Sequence, residues 1–397
     1  LVKNSLFNLL KVNVEIGPRD YLGVIMNMST FLLPAILILL CSGCNNTDAD
    51  INEGGSVAES WSWKSPQKLP LTLTGDVTTF TGLPDDVRSI DGFGTYAAFE
   101  FPSGITSNGS NLYVIDNMSK TIRKVVIATG EVTTIAGSPG ISAHTNGFGT
   151  DARFVDPWTA TTNANSLFII DRSNTIRVMN LATTEVTTLA GLSGSSGSTD
   201  GFGTLARFND PLGITTDGEN LYVADTGNSR IRKIVIATGE VSTLAGGISG
   251  AIDGAGVSAR FNAPSGIVTD GSYLYVSDSG SNTIRQIDIM TKVVRTIAGD
   301  ASRVAGHVDG IGRFARLNDP LGITADSSSL YVLSSTGCTL RKIVKATGAV
   351  STIAGLNNSC SVLDGTGGAA RLEYPMNIST DGKSLYFVEN NVVRKAD

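Results

Sequence analysis

Residues 200–246 read D-G-F-G-T-L-A-R-F-N-D-P-L-G-I-T-T-D-G-E-N-L-Y-V-A-D-T-G-N-S-R-I-R-K-I-V-I-A-T-G-E-V-S-T-L-A-G. Four short apolar runs stand out, at 213–216, 220–225, 230–236 and 240–246. They are rich in Val, Ile, Leu, Thr and Tyr, the residues that suit a pleated strand. Asp217-Gly218, Thr226-Gly227-Asn228 and Ala237-Thr238-Gly239 separate them, and all are turn chemistry. The stretch therefore predicts four antiparallel strands. Such a unit cannot bury both of its faces alone.

It does not stand alone. The opening tetrad recurs as Asp91-Gly92-Phe93-Gly94, Asn146-Gly147-Phe148-Gly149, Asp253-Gly254-Ala255-Gly256, Asp309-Gly310-Ile311-Gly312 and Asp364-Gly365-Thr366-Gly367, at steps of 55, 54, 53, 56 and 55 residues. Each copy runs on to a proline: Pro102, Pro157, Pro211, Pro264, Pro320 and Pro375. Six repeats of a four-stranded unit bury each other's faces in a ring, so the predicted fold is all-β, a six-bladed β-propeller of four-stranded antiparallel blades. The sixth copy stops after its third strand, at Val392-Val393-Arg394-Lys395-Ala396-Asp397. Gly75-Asp76-Val77-Thr78-Thr79-Phe80-Thr81-Gly82 matches the fourth strand Gly130-Glu131-Val132-Thr133-Thr134-Ile135-Ala136-Gly137. The N-terminal strand is thus expected to complete the last blade and remove the open edge.

P-x-G-I-x-x-D, N-L-Y-V-A-D-x-G-N and I-R-K-I resemble NHL repeats, in a long bacterial form that adds D-G-x-G-x-x-A-R-F and V-x-T-L-A-G. The resemblance covers about residues 75–397. It implies the propeller. It leaves function open, because propellers host binding, structural and catalytic roles alike.

The segment ahead of the repeats reads as an address. Residues 31–41, F-L-L-P-A-I-L-I-L-L-C, are too short to span a bilayer core and suit a signal-peptide hydrophobic region. L-L-C-S-G-C resembles a bacterial lipobox with Cys44 as the lipidated residue, and Asn45 after it suggests outer-membrane sorting. A plain secretory signal is the alternative. The expected organisation is a signal peptide over 1–43, with 1–25 an over-extended start, a flexible tether over 44–70, and the propeller over 71–397. The protein is then expected in the bacterial cell envelope, as an outer-membrane-anchored lipoprotein or a periplasmic or extracellular protein.

Composition narrows the chemistry. Lys+Arg is 30 and Asp+Glu 36, a net charge of −6, which lacks the basic footprint of a nucleic-acid binder. Only two histidines, His144 and His307, are present, too few for a site built on three imidazoles. Six-bladed relatives include metal-dependent lactonases and histidine-metal lyases, and the latter set cannot be assembled here.

Residues repeated in every blade read as architecture. Arg123, Arg177, Arg232, Arg285, Arg341 and Arg394 are expected to satisfy carbonyls or carboxylates between blades. Asp116, Asp171, Asp225, Asp278 and Glu389 end the second strands, with Ser334 in the fifth blade. They are expected to accept from N–H groups of the following turn, or, as a weaker alternative, to ring a Ca²⁺ ion. Beyond that alternative no cofactor is expected. Variable positions are where a site can be built. The residue after each proline is expected at the channel mouth on the top face, together with the D-G-x-G loops and the strand-end carboxylates. There it reads Ser103, Trp158, Leu212, Ser265, Leu321 and Met376, either a plug or an apolar ligand pocket.

Cys338 begins the third strand of blade five and Cys360 follows its fourth, so the two are expected to form a disulfide in an oxidising compartment. The functional expectation is a monomeric, exported, non-catalytic scaffold binding protein, peptide or glycan in the envelope on its top face. Alternatives are a lactonase-like metal-dependent hydrolase or lyase with a central carboxylate site, and a purely structural envelope protein. The anchor is testable. Metabolic labelling with a palmitate analogue is expected to mark the wild type and to leave Cys44→Ser unmarked; equal labelling removes the lipoprotein reading.

Overall fold

The structure, a computed structural model, describes residues 69–300, 302 and 304–397. The signal peptide, Cys44 and nearly all of the tether expected from the sequence lie outside these residues. The described residues form six sheets, each a blade, closed into a propeller. In blade three the strands are Pro211–Thr216, Asn220–Asp225, Arg230–Val235 and Glu240–Gly246, all antiparallel.

Each blade has a fifth strand rather than the four expected. In blade three it is Gly201–Phe202, which pairs Gly201 with Val241 and Phe202 with Glu240. This corrects the placement of the D-G-x-G tetrads. They sit on the outer edge, beside the start of the fourth strand. That end is remote from Pro211, which lies opposite Asp225 on the top face. The chain leaves the fourth strand of one blade at the top, descends the outer edge, and climbs back between blades through A-R-F. The detour is invisible to a reading that counts only apolar runs, because a two-residue strand has no period.

Packing explains why the second strands are apolar throughout rather than alternating. Leu221, Tyr222, Val223 and Ala224 are all buried, because both faces of a blade meet a neighbouring blade. Phe168, Ile170 and Ile176 of blade two pack with Phe208, Leu221, Val223 and Ile234 of blade three in one such interface. The same arrangement recurs around the ring.

The ring closes as the repeat demands. Asp76–Gly82 pairs with Val392–Ala396, from Val77 opposite Ala396 to Gly82 opposite Val392. Thr74 and Gly75 donate their N–H groups to the Asp397 carbonyl at 2.7 and 2.8 Å. Leu71 and Val77 enter the core between blades five and six. Cys338 and Cys360 are bonded, with Cα atoms 5.4 Å apart and a separation of 22 positions in sequence. A cross-link over a loop of that length contributes about 3 kcal/mol in the chain-entropy picture.

Deleting residues 71–82 exposes the third-strand edge of blade six and removes part of its core. Thermal unfolding of that truncation is expected at a much lower temperature than the full chain, or without a cooperative transition. A truncation of 45–68 is expected to melt like the full chain. Equal melting of the two would show that the N-terminal strand does not hold the ring shut.

Candidate functional site

The repeated arginines are the first polar groups to place. All six are fully buried. Arg232 donates through Nη1 to Asp225 Oδ2 at 2.8 Å and to the Arg207 carbonyl at 2.9 Å. Its Nη2 donates to Asp200 Oδ1 at 2.7 Å and to the Thr199 carbonyl at 3.1 Å. Its guanidinium lies 5.1 Å from the centre of the Phe208 ring. Asp200 in turn accepts from the N–H and hydroxyl of Thr243. One guanidinium therefore ties the outer-edge detour, the A-R-F segment and the second strand together. Blade two substitutes Asn146 for the tetrad carboxylate, and blade five has no strand-end carboxylate, only Ser334.

The strand-end carboxylates belong to this bracket. Asp116, Asp171, Asp225, Asp278 and Glu389 are buried, each facing its own blade's arginine. Their second partner is not chiefly the following turn, as expected, but a backbone N–H sixteen residues earlier. Glu100, Asn209, Asn262 and Glu373 donate to Asp116, Asp225, Asp278 and Glu389, respectively. Asp171 accepts both from Val155 and Asp156 upstream and from Ser173 in the turn. Burial pushes the carboxyls of Asp116, Asp225, Asp278 and Glu389 up, against the pull of the arginine and the backbone N–H groups; Asp278 ends at about 6 and Glu389 at about 8. Burial also opposes the charge of Asp91 and Asp200. The threonine N–H and hydroxyl and the arginine outweigh it and hold both below the ordinary range. Among the described residues no three His, Cys, Asp or Glu side chains come together in a metal-holding group. Each of the five strand-end carboxylates faces the guanidinium of its own blade.

The channel runs between the inner strands Pro102–Ser107, Pro157–Thr162, Pro211–Thr216, Pro264–Thr269, Pro320–Ala325 and Asn377–Thr380. At the top mouth Ser103, Trp158, Leu212, Ser265, Leu321 and Met376 do converge, but the space they leave is about 40 Å³. Ser103 Oγ donates to the Trp158 carbonyl at 2.6 Å. Arg172 lies 4.6 Å from the Trp158 ring centre and is held by Asp210. The geometry is that of a plug. Below it the strands close in. A Cβ on Gly213 would stand 1.9 Å from the Ser265 carbonyl oxygen, and one on Gly266 2.1 Å from that of Leu321. Blades two and six place Thr159 and Asn377 at this level, and Asn377 Oδ1 accepts from the Ile105 N–H at 3.1 Å across the seam.

Past this neck the channel widens to a cavity of about 620 Å³ that opens on the lower face. Ile105, Ile214, Ile267, Ile323 and Ile378 line it, and so do Thr106, Thr161, Thr215 and Ser379. These four hydroxyls make no hydrogen bond within the described residues, whereas Thr162, Thr216 and Thr269 are bonded to their own turns. Asn108, Asn163 and Asp381 stand at the mouth, with Asp381 accepting from the N–H groups of Lys383 and Ser384. The inner strand is the terminal strand of each sheet, so its free edge also faces this space. Sequence reasoning missed this cavity. The signal was the hydroxyl residue after the inner-strand Ile or Ala, present in every blade but the fourth, where Val268 stands.

The NHL-repeat family profile matches residues 208–234, from the phenylalanine under Arg232 to the third strand. The chain is a six-bladed β-propeller that carries an NHL repeat. It is 26% identical over 340 residues to NHL repeat-containing protein 2 of Gallus gallus, covering 75% of this chain and 46% of the relative. The chain therefore spans about half the length of the relatives it matches. An auxiliary nutrient binding protein from Bacteroides ovatus shares the fold at a TM-score of 0.59 and 20% identity, covering 82% of this chain and 77% of that one. A second, from Bacteroides thetaiotaomicron, does so at 0.61 and 16%, covering 81% and 76%. At these identities the likeness of the propeller to both is one of fold.

The bracket predicts a stability cost with a signature. Arg232→Met leaves the buried Asp225 unpaired and is expected to cost about 3–5 kcal/mol in chemical unfolding. Adding Asp225→Leu removes the stranded charge, so the double variant is expected to lose less than the two single losses combined. Strict additivity would show that the two groups do not act as a pair.

Proposed function

We propose that this NHL propeller is a non-catalytic binding protein that takes a neutral, polyhydroxylated ligand, a short glycan, into the lower cavity of its channel. The observation that carries the reading is the lining: four unspent hydroxyls and free strand edges alternate with isoleucine side chains around about 620 Å³. Hydroxyl and backbone donors and acceptors match sugar hydroxyls, and the isoleucines match the C–H faces of a ring. Ligand pockets of this kind pair an apolar wall with a few placed polar groups, and this volume lies in their usual range. The lining holds no His, Cys, Lys or Arg and one carboxylate, Asp381, already engaged in its turn. Such a wall recognises without supplying a nucleophile–base pair.

The names of the Bacteroides fold relatives, auxiliary nutrient binding proteins, accord with this reading. So does the proposed address: export to the bacterial cell envelope and attachment through Cys44. The site moves from the top face, favoured by the sequence, to the lower one, because the plug leaves no room above the neck.

Calorimetry and thermal melts against a panel of neutral di- and oligosaccharides test it. Saturation with a cognate sugar at about 100 times its Kd is expected to stabilise the fold by about 2.7 kcal/mol. Thr161→Tyr, which fills the lumen, is expected to abolish the shift while leaving the unliganded melt near that of the wild type. A panel without heat or shift in the wild type would overturn the glycan reading.

A further inference from the structure

A second surface lies on the opposite face, at the seam between blades six and one. In blades three, four and five the residue before the inner-strand proline adopts a left-handed backbone: φ is 48° at Asp210, 54° at Ala263 and 49° at Asp319. Asp tolerates that region and Ala is small; bulky side chains do not suit it. Blades one and six nevertheless carry Phe101 at φ 60° and Tyr374 at φ 47°. Both are open to solvent, 44% and 57% exposed. Each thus bears a conformational cost and a solvation cost, and neither ring joins the buried clusters between the blades.

The two positions are joined. Asn391 Oδ1 accepts from the Phe101 N–H at 3.0 Å. Its neighbour Asn390 donates to Glu373 Oε2 at 2.5 Å and to Asp85 Oδ1 at 3.4 Å. Met118 lies beside Phe101, its N–H on the Glu100 carbonyl, and is exposed, as is Leu83 next to the seam. The residue before each aromatic is acidic, Glu100 and Glu373, where the other blades have Val155, Asn209, Asn262 and Asn318. Among the described residues no Lys or Arg forms an ion pair with Asp85, Glu100 or Glu373. The cations of this face are spent elsewhere: Arg88 on Asp86, Lys120 on Asp156, and Arg172 on Asp156 and Asp210.

We propose that Phe101, Tyr374, Met118 and Leu83, rimmed by Asp85, Glu100 and Glu373, form a docking surface for a protein segment that presents apolar side chains flanked by Lys or Arg. Aromatic and methionine anchors are the residues that carry interface energy. These carboxylates, which hold no cation among the described residues, select the charge, since a cation over an aromatic face beside a carboxylate gains from both. The same carboxylates repel an anionic membrane. The surface does not depend on the lower cavity being a sugar site.

The test uses short fluorescent peptides of one pattern: Lys with Leu and Trp, the same with Glu for each Lys, and the same with Ser for Leu and Trp. Anisotropy is expected to show binding of the first alone, weakening with salt. Phe101→Asn and Tyr374→Asn place a residue that accepts a left-handed backbone. They are expected to leave the melting temperature unchanged or raise it, while weakening the basic-apolar peptide by about tenfold or more. Glu100→Gln with Glu373→Gln is expected to flatten the salt dependence. Equal binding of the Glu peptide, unchanged binding by the Asn variants, or a fall in their melting temperature would overturn the proposal. So would sedimentation of the wild type, but not the Asn variants, with phosphatidylglycerol vesicles.

Discussion

A guanidinium with no access to water has to find its partners inside the protein, and in this propeller it finds them in three different parts of the same repeat. The cost of burying that charge is offset only if the geometry is complete. The arginine therefore constrains the outer-edge detour, the segment between blades and the end of the second strand at once in five blades, and in blade five Arg341 holds the first two alone. The aromatic ring beneath it, Phe99, Phe154, Phe208 or Phe261, places the π face against the cation. Blades five and six put Leu317 and Leu372 in the core instead, so the hydrogen bonds and not the ring are the constant element.

With the blades locked radially, the axis becomes the place where variation is free. The inner strands approach so closely at the glycine level that a methyl group would collide with the next blade's backbone. This divides the channel into two unequal spaces. Above the neck, large side chains fill what little volume the converging strands leave. Below it the strands diverge, and side chains as small as threonine leave a cavity. A channel of one repeat thus presents a plug to one face and a polar pocket to the other. The two exceptions to glycine, Thr159 and Asn377, flank blade one. Asn377 uses its carboxamide to hold the seam between blades six and one.

That seam is also where the repeat relaxes on the surface. Glu-Phe-Pro and Glu-Tyr-Pro stand in adjacent blades, at a backbone position whose conformation the fold imposes and whose side chain it does not use. The lower pocket and the upper patch are separated by the plug, so an occupant of one leaves the other open.

Repetition made the architecture legible. Six spaced tetrads, the prolines and the mismatch between the two chain ends predicted blade number, strand order and closure, because each is a property of local pattern and of counting. The buried role of Arg232 and the pairing of Cys338 with Cys360 were readable for the same reason: recurrence marks the first as architecture, and its absence marks the second as an addition. Tertiary structure alone decided the rest. The two-residue outer strand depends on Asp200 reaching Thr243, forty-three residues away, which no local period records. The convergence of Ser103, Trp158, Leu212, Ser265, Leu321 and Met376 could be foreseen, but whether they enclose a pocket or a plug could not. Strand tilt and the distance between facing backbones set that volume. Those distances arise only when six blades are packed around one axis, which is why the open cavity lies at the lower end of the channel, where hydroxyls rather than large side chains line the inner strands.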